Sequence, residues 1–335
     1  MNALRKILFP FSVLYGIVTA IRNFLFDIGV LKSYSFAVPT IVVGNLSVGG
    51  TGKSPQIEYL IRLLEPNYKV VTLSRGYKRK TEGFVLADAT ASASTIGDEP
   101  YQFYSKFKSI RVAVDANRKN GIETLLAQKN KPEIILLDDA YQHRKVKAGL
   151  YILLTTYKEL YCDDYLLPAG NLRESRSGAK RAKVVIVTKC PPTLSVEEQK
   201  KIKAKLKMDD NQELYFSYIK YDDLVFSEQS SIKREVVAKQ TKVLLAGIAK
   251  PDSFFEFLKG ENDICLSYPD HHDFTYSDLA TIKNKAGSNI VVTTEKDYVR
   301  LKGRLPMQQL FYLPIQSAFI NEGQNFNKTI NDYVG

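Results

Sequence analysis

The sequence predicts an α/β protein of two α/β/α layered domains, preceded by a helix suited to a membrane interface. Three observations carry that expectation. The chain has 335 residues, more than one hydrophobic core readily organises. A β-branched run at 39–46 leads through a glycine-rich loop directly into a helical pattern at 56–64. Beyond residue 149, apolar strand patterns again alternate with helical ones, as layered parallel sheets require. An apolar share of 44% and a charged share of 25% exclude a disordered chain, a collagen-like repeat and a polytopic membrane protein.

The first element is the apolar segment within residues 1–30. Between Lys6 and Arg22 runs an uncharged stretch of fifteen residues, 7–21, with Pro10 inside it. That is short of the roughly 20 residues a spanning helix needs. It also lacks the small-residue cleavage site of a secretory signal. Apolar residues continue past Arg22, and Arg5, Lys6, Arg22 and Lys32 flank the segment. The expectation is an amphipathic helix lying in the interface of an anionic membrane.

Charge follows the same division. The net charge is +11. Residues 1–150 carry 21 basic and 12 acidic side chains, and residues 151–335 carry 26 and 24. The excess cation density of the first half asks for an anionic partner. Three scattered cysteines, Cys162, Cys190 and Cys265, fit neither a disulfide framework nor a zinc site.

The strand at 39–46 ends in Ser47-Val48-Gly49-Gly50-Thr51-Gly52-Lys53-Ser54, a P-loop in its proper strand–loop–helix context. Its glycines let backbone N–H groups turn onto a polyphosphate, and the helix N-terminus adds partial positive charge. Lys53 is placed to neutralise the β- and γ-phosphates of ATP, and the Ser54 hydroxyl to ligate Mg²⁺. Ser47 replaces the usual first glycine of the pattern. A second apolar strand at 132–139 ends in Asp138 and Asp139, a carboxylate pair able to hold Mg²⁺ directly or through water. The first domain, 31–150, is therefore expected to be a P-loop NTPase-type, mostly parallel sheet.

The run Asp138-Asp139-Ala140-Tyr141-Gln142-His143-Arg144 resembles the tetraacyldisaccharide 4′-kinases, the lipid A 4′-kinases of Gram-negative bacteria. The resemblance extends in order over nearly the whole chain. It includes the P-loop block, Leu73-Ser74-Arg75-Gly76-Tyr77 and Gly97-Asp98-Glu99-Pro100. It continues through Leu167-Pro168-Ala169-Gly170-Asn171-Leu172-Arg173-Glu174, Pro269-Asp270-His271-His272-Asp273-Phe274 and Thr293-Thr294-Glu295-Lys296-Asp297. Ala140 departs from the family's usual glycine. The resemblance implies ATP-dependent phosphorylation of the 4′-hydroxyl of a tetraacylated glucosamine disaccharide 1-phosphate, giving lipid IVA. It implies peripheral attachment at the cytoplasmic face of the inner membrane.

By the same resemblance Asp98 is the catalytic base, assisted by a histidine at His271, with His272 as the alternative. A helix over 99–108 places these acids at its N-terminus, which stabilises their negative charge and weakens Asp98 as a base. Glu99 is then a metal ligand beside Ser54 and one of Asp138 or Asp139. Arg173 can reach the transferring phosphoryl group, with Glu174 holding it in place. Arg75, Gln142 and His143 are further candidates, and the basic loop at 77–80 reads as solvated or as a contact for substrate phosphate.

The second domain, 151–335, is expected to close over the site and to supply Arg173 and His271. Strands are expected at 149–155, 183–188, 243–247 and 289–294, and helices at 196–207, 252–258 and 276–285. Residues 214–226 read as strand and hairpin. A P-loop GTPase is disfavoured because Pro191 stands where a base-reading aspartate belongs after Thr188-Lys189. A metallochaperone is disfavoured by the lack of a Cys/His cluster. A nucleic-acid-dependent ATPase is disfavoured by the lack of helicase-type motifs and of a basic stripe with aromatics.

Overall fold

The computed structural model describes residue 5 and residues 7–270 and 272–335. Thr40–Asn45 (β1) is buried along its whole length, so both of its faces need apolar cover, as in a central parallel strand. Ile41 and Val43 point into one core with Ile57, Leu60 and Ile61 of the helix Lys53–Leu64. Val42 points into the other, with Leu137 and Tyr141. At Gly44 a Cβ would lie 2.6 Å from that of Tyr141, so only glycine lets the two segments approach.

The further strands are Val70–Ser74 (β2), Val85–Leu86 (β3), Arg111–Val114 (β4), Ile134–Asp138 (β5), Leu150–Thr156 (β6), Val184–Thr188 (β7) and Glu213–Tyr221 (β8). After them come Leu224–Phe226 (β9), Ser231–Lys233 (β10), Lys242–Ala246 (β11), Ile264–Ser267 (β12), Ile290–Thr294 (β13), Leu310–Leu313 (β14) and Ile315–Phe319 (β15). Among the described residues they form a nine-stranded sheet, β15-β8-β7-β6-β1-β5-β2-β4-β3, and a six-stranded sheet, β10-β9-β14-β13-β11-β12. From β8 to β4 the large sheet is parallel throughout, with antiparallel β15 and β3 at its edges. Each sheet carries an apolar core on both faces. The expected α/β architecture with two layered sheets is what the chain adopts.

The expected boundary at residue 150 does not coincide with the division between the sheets. β6, β7 and β8 extend the P-loop sheet on the far side of β1, and β15 returns to its edge beside β8. The terminal helix Gly323–Val334 packs under the same sheet, with Phe326 and Ile330 fully buried. The smaller sheet is thus the insertion 224–313. Its entry and exit lie side by side, where Asp222 N–H donates to Pro314 O at 3.0 Å. The expected hairpin also divides: β8 stays in the large sheet, while β9 pairs with β10 in the small one. Sequence pattern misplaced the boundary because β6 to β8 read like any other buried strands, and nothing local says which sheet a strand joins.

The helix Phe9–Asp27 precedes both sheets, with proline in its first turn. It runs to 19 residues because helical structure continues through Arg22. By length and composition it could cross a membrane, and only 11% of its apolar window is buried. Residues 1–4 and 6, part of the expected segment 1–30, lie outside the described residues.

Candidate active site

β1 and β5 lie side by side, with Val43 opposite Asp138, so their C-terminal ends bring the P-loop against the carboxylate pair. β6 leaves on the other side of β1, which makes this the point where strand order reverses and where open α/β sheets bind ligands. Gly49 (φ 106°) and Gly52 (φ 86°) take left-handed conformations that side chains resist. Ser47 does not, which explains why a glycine is dispensable there; it pairs instead with Leu172 across an antiparallel bridge. Val48 N–H donates to Asn171 O at 2.8 Å, and Thr51 O accepts from the Thr188 hydroxyl at 2.8 Å, so the loop is held from both sides.

Lys53 opens the helix Lys53–Leu64 and reaches Asn45 Oδ1 at 3.4 Å and Asp139 Oδ1 at 3.8 Å. Arg173 meets both oxygens of Asp139, at 2.8 and 3.2 Å, and also donates to Asn45 O at 3.0 Å. Burial alone would raise the Asp139 carboxyl, but Lys53 and Arg173 outweigh it and hold it below its ordinary value. Arg173 therefore does sit beside the P-loop, though it comes from the connection between β6 and β7 of the same sheet, not from a closing second domain. Nor is it held by Glu174. That buried carboxylate accepts from Arg181 at 2.7 Å, Gln142 at 2.9 Å and Asn23 at 2.9 Å. Gln142 also donates to Asn45 O at 2.9 Å, so it braces the strand end.

Asp138 has the opposite surroundings to its neighbour. It is 2% exposed, and its Oδ1 has no hydrogen-bond partner among the described residues. Burial, then the Glu99 charge, push its carboxyl up to about 7. Ser54 Oγ donates to Glu99 Oε1 at 3.0 Å. Lys296 Nζ donates to the same oxygen at 2.7 Å, and its charge holds Glu99 at about 2. Among the described residues no three His, Cys, Asp or Glu side chains stand close enough to hold a metal alone. An orphaned buried carboxylate oxygen, with a hydroxyl–carboxylate pair nearby, nevertheless fits a hard cation completed by phosphate and water oxygens. Ala140 is buried without strain, because the left-handed residue of this turn is Asp139 (φ 47°).

Asp98 is the first residue of the helix Asp98–Lys106, one residue ahead of the expected start. It pairs with Arg300 of the helix Glu295–Leu301 in the small-sheet unit. Three pairs thus join these two helices, since Lys106 also meets Glu295 at 2.5 Å. Lys296 lies inside the Thr-Thr-Glu-Lys-Asp block and Arg300 just beyond it, and the local sequence gives neither a role. Only the approach of the two sheets assigns them one. His271 lies outside the described residues. His272 Nε2 pairs with Asp278 at 2.9 Å, and its ring stacks on Tyr268.

The remaining candidates lie to one side. His143 is half-buried, and burial followed by Arg118, Lys145, Arg22 and Arg75 lowers it to about 4, so it is neutral near pH 7. Arg75 is exposed at the end of β2. In the basic loop Arg79 turns inward to Val114 O and Gly83 O.

The helix Phe9–Asp27 docks here through its polar face. Ser12 Oγ accepts from Ala169 N–H at 2.9 Å, the Tyr15 hydroxyl donates to Arg173 O at 2.8 Å, and Arg22 donates to Gln142 O at 2.7 Å. Phe11, Leu14, Val18 and Phe24 face outward.

A family model described as tetraacyldisaccharide-1-P 4′-kinase matches residues 4–334. A tetraacyldisaccharide 4′-kinase of Flavobacterium johnsoniae is 62% identical over 334 residues, covering 100% of this chain and 98% of that protein. One of Bacteroides fragilis is 48% identical over 353 residues, covering 99% and 93%. A crystal structure of LpxK from Aquifex aeolicus in complex with ATP superposes with a TM-score of 0.80 at 30% identity, over 99% of this chain and 100% of that one.

Proposed function

The chain belongs to the tetraacyldisaccharide-1-P 4′-kinase family, and from that premise we propose that it transfers the γ-phosphoryl group of ATP to the 4′-hydroxyl of a tetraacylated glucosamine disaccharide 1-phosphate, giving lipid IVA. The observation that carries this reading is the convergence of P-loop, Asp139–Arg173 pair and Asp98 at one end of the large sheet.

Lys53 and the loop amides would receive the β- and γ-phosphates, and Arg173, pre-aligned by Asp139, would spread charge developing on the transferring group. Asp98 would accept the proton of the sugar hydroxyl as its oxygen bonds to the γ-phosphorus and the β–γ bridging bond breaks, leaving ADP. His271 is the partner suggested for that base; His272 is already committed to Asp278. Ser54, Glu99 and Asp138 would hold Mg²⁺. Asp138 is preferred to Asp139 because Asp139 already has two cations while Asp138 has an unmet oxygen. The ion would supply charge neutralisation between the phosphates.

The outward apolar face of the helix Phe9–Asp27, with a polar face bound to the site, supports peripheral attachment at the cytoplasmic face of the inner membrane. The anions implied by the charge of the first half are then ATP, lipid headgroups and the substrate's own phosphate. The test is purified protein with ATP, Mg²⁺ and tetraacyldisaccharide 1-phosphate in detergent. One added phosphate at the 4′ position is expected; absence of transfer together with GTP hydrolysis would overturn the kinase reading.

A further inference from the structure

Lys296 is the one described cation of the small-sheet unit hydrogen-bonded to a proposed metal ligand. Its Nζ and Ser54 Oγ share a single acceptor, Glu99 Oε1, at 2.7 and 3.0 Å. Glu99, then Asp270 and Asp138, act on its charge, so the ammonium stands among carboxylates of which Glu99 and Asp138 are assigned to the metal. A lysine ammonium is a compact point charge on a flexible stem, able to mimic a small hard cation and able to leave. Two cations cannot share that one carboxylate oxygen at contact distance without strong mutual repulsion.

We propose that Lys296 is a tethered cation that occupies the metal's place on Glu99 in the unloaded kinase and is displaced when metal enters with the nucleotide. It is a positioning residue, and the proposal rests on the metal ligands assigned above.

The experiment titrates Mn²⁺ into nucleotide-free protein, following the free ion by its EPR signal. The variants are Lys296→Met, Lys296→Gln and Lys296→Arg, each checked for native far-UV circular dichroism. Removing a unit charge so close to the ion should tighten Mn²⁺ binding about tenfold or more in the neutral variants. Lys296→Arg, which keeps the charge, should stay near wild type. A structural role alone would leave the metal affinity unchanged or weaken it, and that outcome in whichever neutral variant folds overturns the proposal. Glu99→Gln is run alongside. If it leaves Mn²⁺ affinity unaltered, the assignment of Glu99 as a ligand fails, and this inference falls with it; a lost affinity there with no gain in the Lys296 variants sinks the inference alone.

Discussion

Asp138 and Asp139 are chain neighbours, yet burial pushes the carboxyl of the first up to about 7 while Lys53 and Arg173, against burial, hold that of the second below its ordinary value. The cause is where their side chains end up. Asp138 closes a fully buried strand, while Asp139, in a left-handed conformation, swings back toward Lys53 and Arg173. Both carboxylates are legible in the sequence but their roles are equivalent there, because the cations that separate them come from positions 53 and 173. Asp98 was legible in the same partial way. Its place at a helix N-terminus follows from local sequence, whereas its pairing with Arg300 joins residues 202 apart in the chain. Replacing Asp98 with Asn should lower kcat by about 10²- to 10⁴-fold while leaving ATP affinity within a few fold. Equilibrium binding of a fluorescent ATP analogue beside steady-state turnover checks this; lost ATP binding with turnover retained would remove Asp98 from the base role.

At the level of single elements, the helix Phe9–Asp27 is built inside out relative to a helix on a soluble core. Ser12, Tyr15, Arg22 and Asn23 are docking side chains, Phe26 is the buried apolar one, and Phe11, Leu14, Val18 and Phe24 are left facing outward. Its apolar character was legible in the sequence, but which face would bind the protein was not. That depends on backbone acceptors at Gln142 and Arg173 that the fold presents. Substituting Asp for both Leu14 and Val18 should cut partitioning into anionic vesicles by at least about tenfold, with melting temperature nearly unchanged. Vesicle co-sedimentation and a thermal melt measure the two effects separately, and unaltered sedimentation would mean that another surface anchors the protein.

For the molecule as a whole, the two sheets meet through the helices Asp98–Lys106 and Glu295–Leu301, whose charges are matched across the contact. Glu295 is nearly buried there. Burial, then Glu58, raise its carboxyl to about 7 from an ordinary 4.5, with Lys106 opposing the rise. The folded state therefore holds a proton that the unfolded chain has lost between about pH 4.5 and 7. The stabilisation is complete below that window and disappears as pH rises through it. Glu295→Gln should remove on the order of 1–3 kcal/mol of this pH dependence. Urea denaturation of both proteins at pH 5 and pH 8 reads it directly: identical slopes with pH would show that Glu295 does not titrate in this range.

Sequence by itself determined the α/β class, the P-loop, the acidic pair, the apolar first helix and the order of the motif blocks. Each of these is written in a contiguous stretch, where period, glycine spacing and residue type act over a few residues. Tertiary structure alone decided that residues 150–221 and 315–334 complete the P-loop sheet, that Arg173 rests on Asp139, and that Lys296 and Arg300 face Glu99 and Asp98. Those outcomes depend on which strands pair and on charges brought together from distant positions. Strand pairing is chosen by packing on both faces of the sheet at once, and no local pattern contains that information.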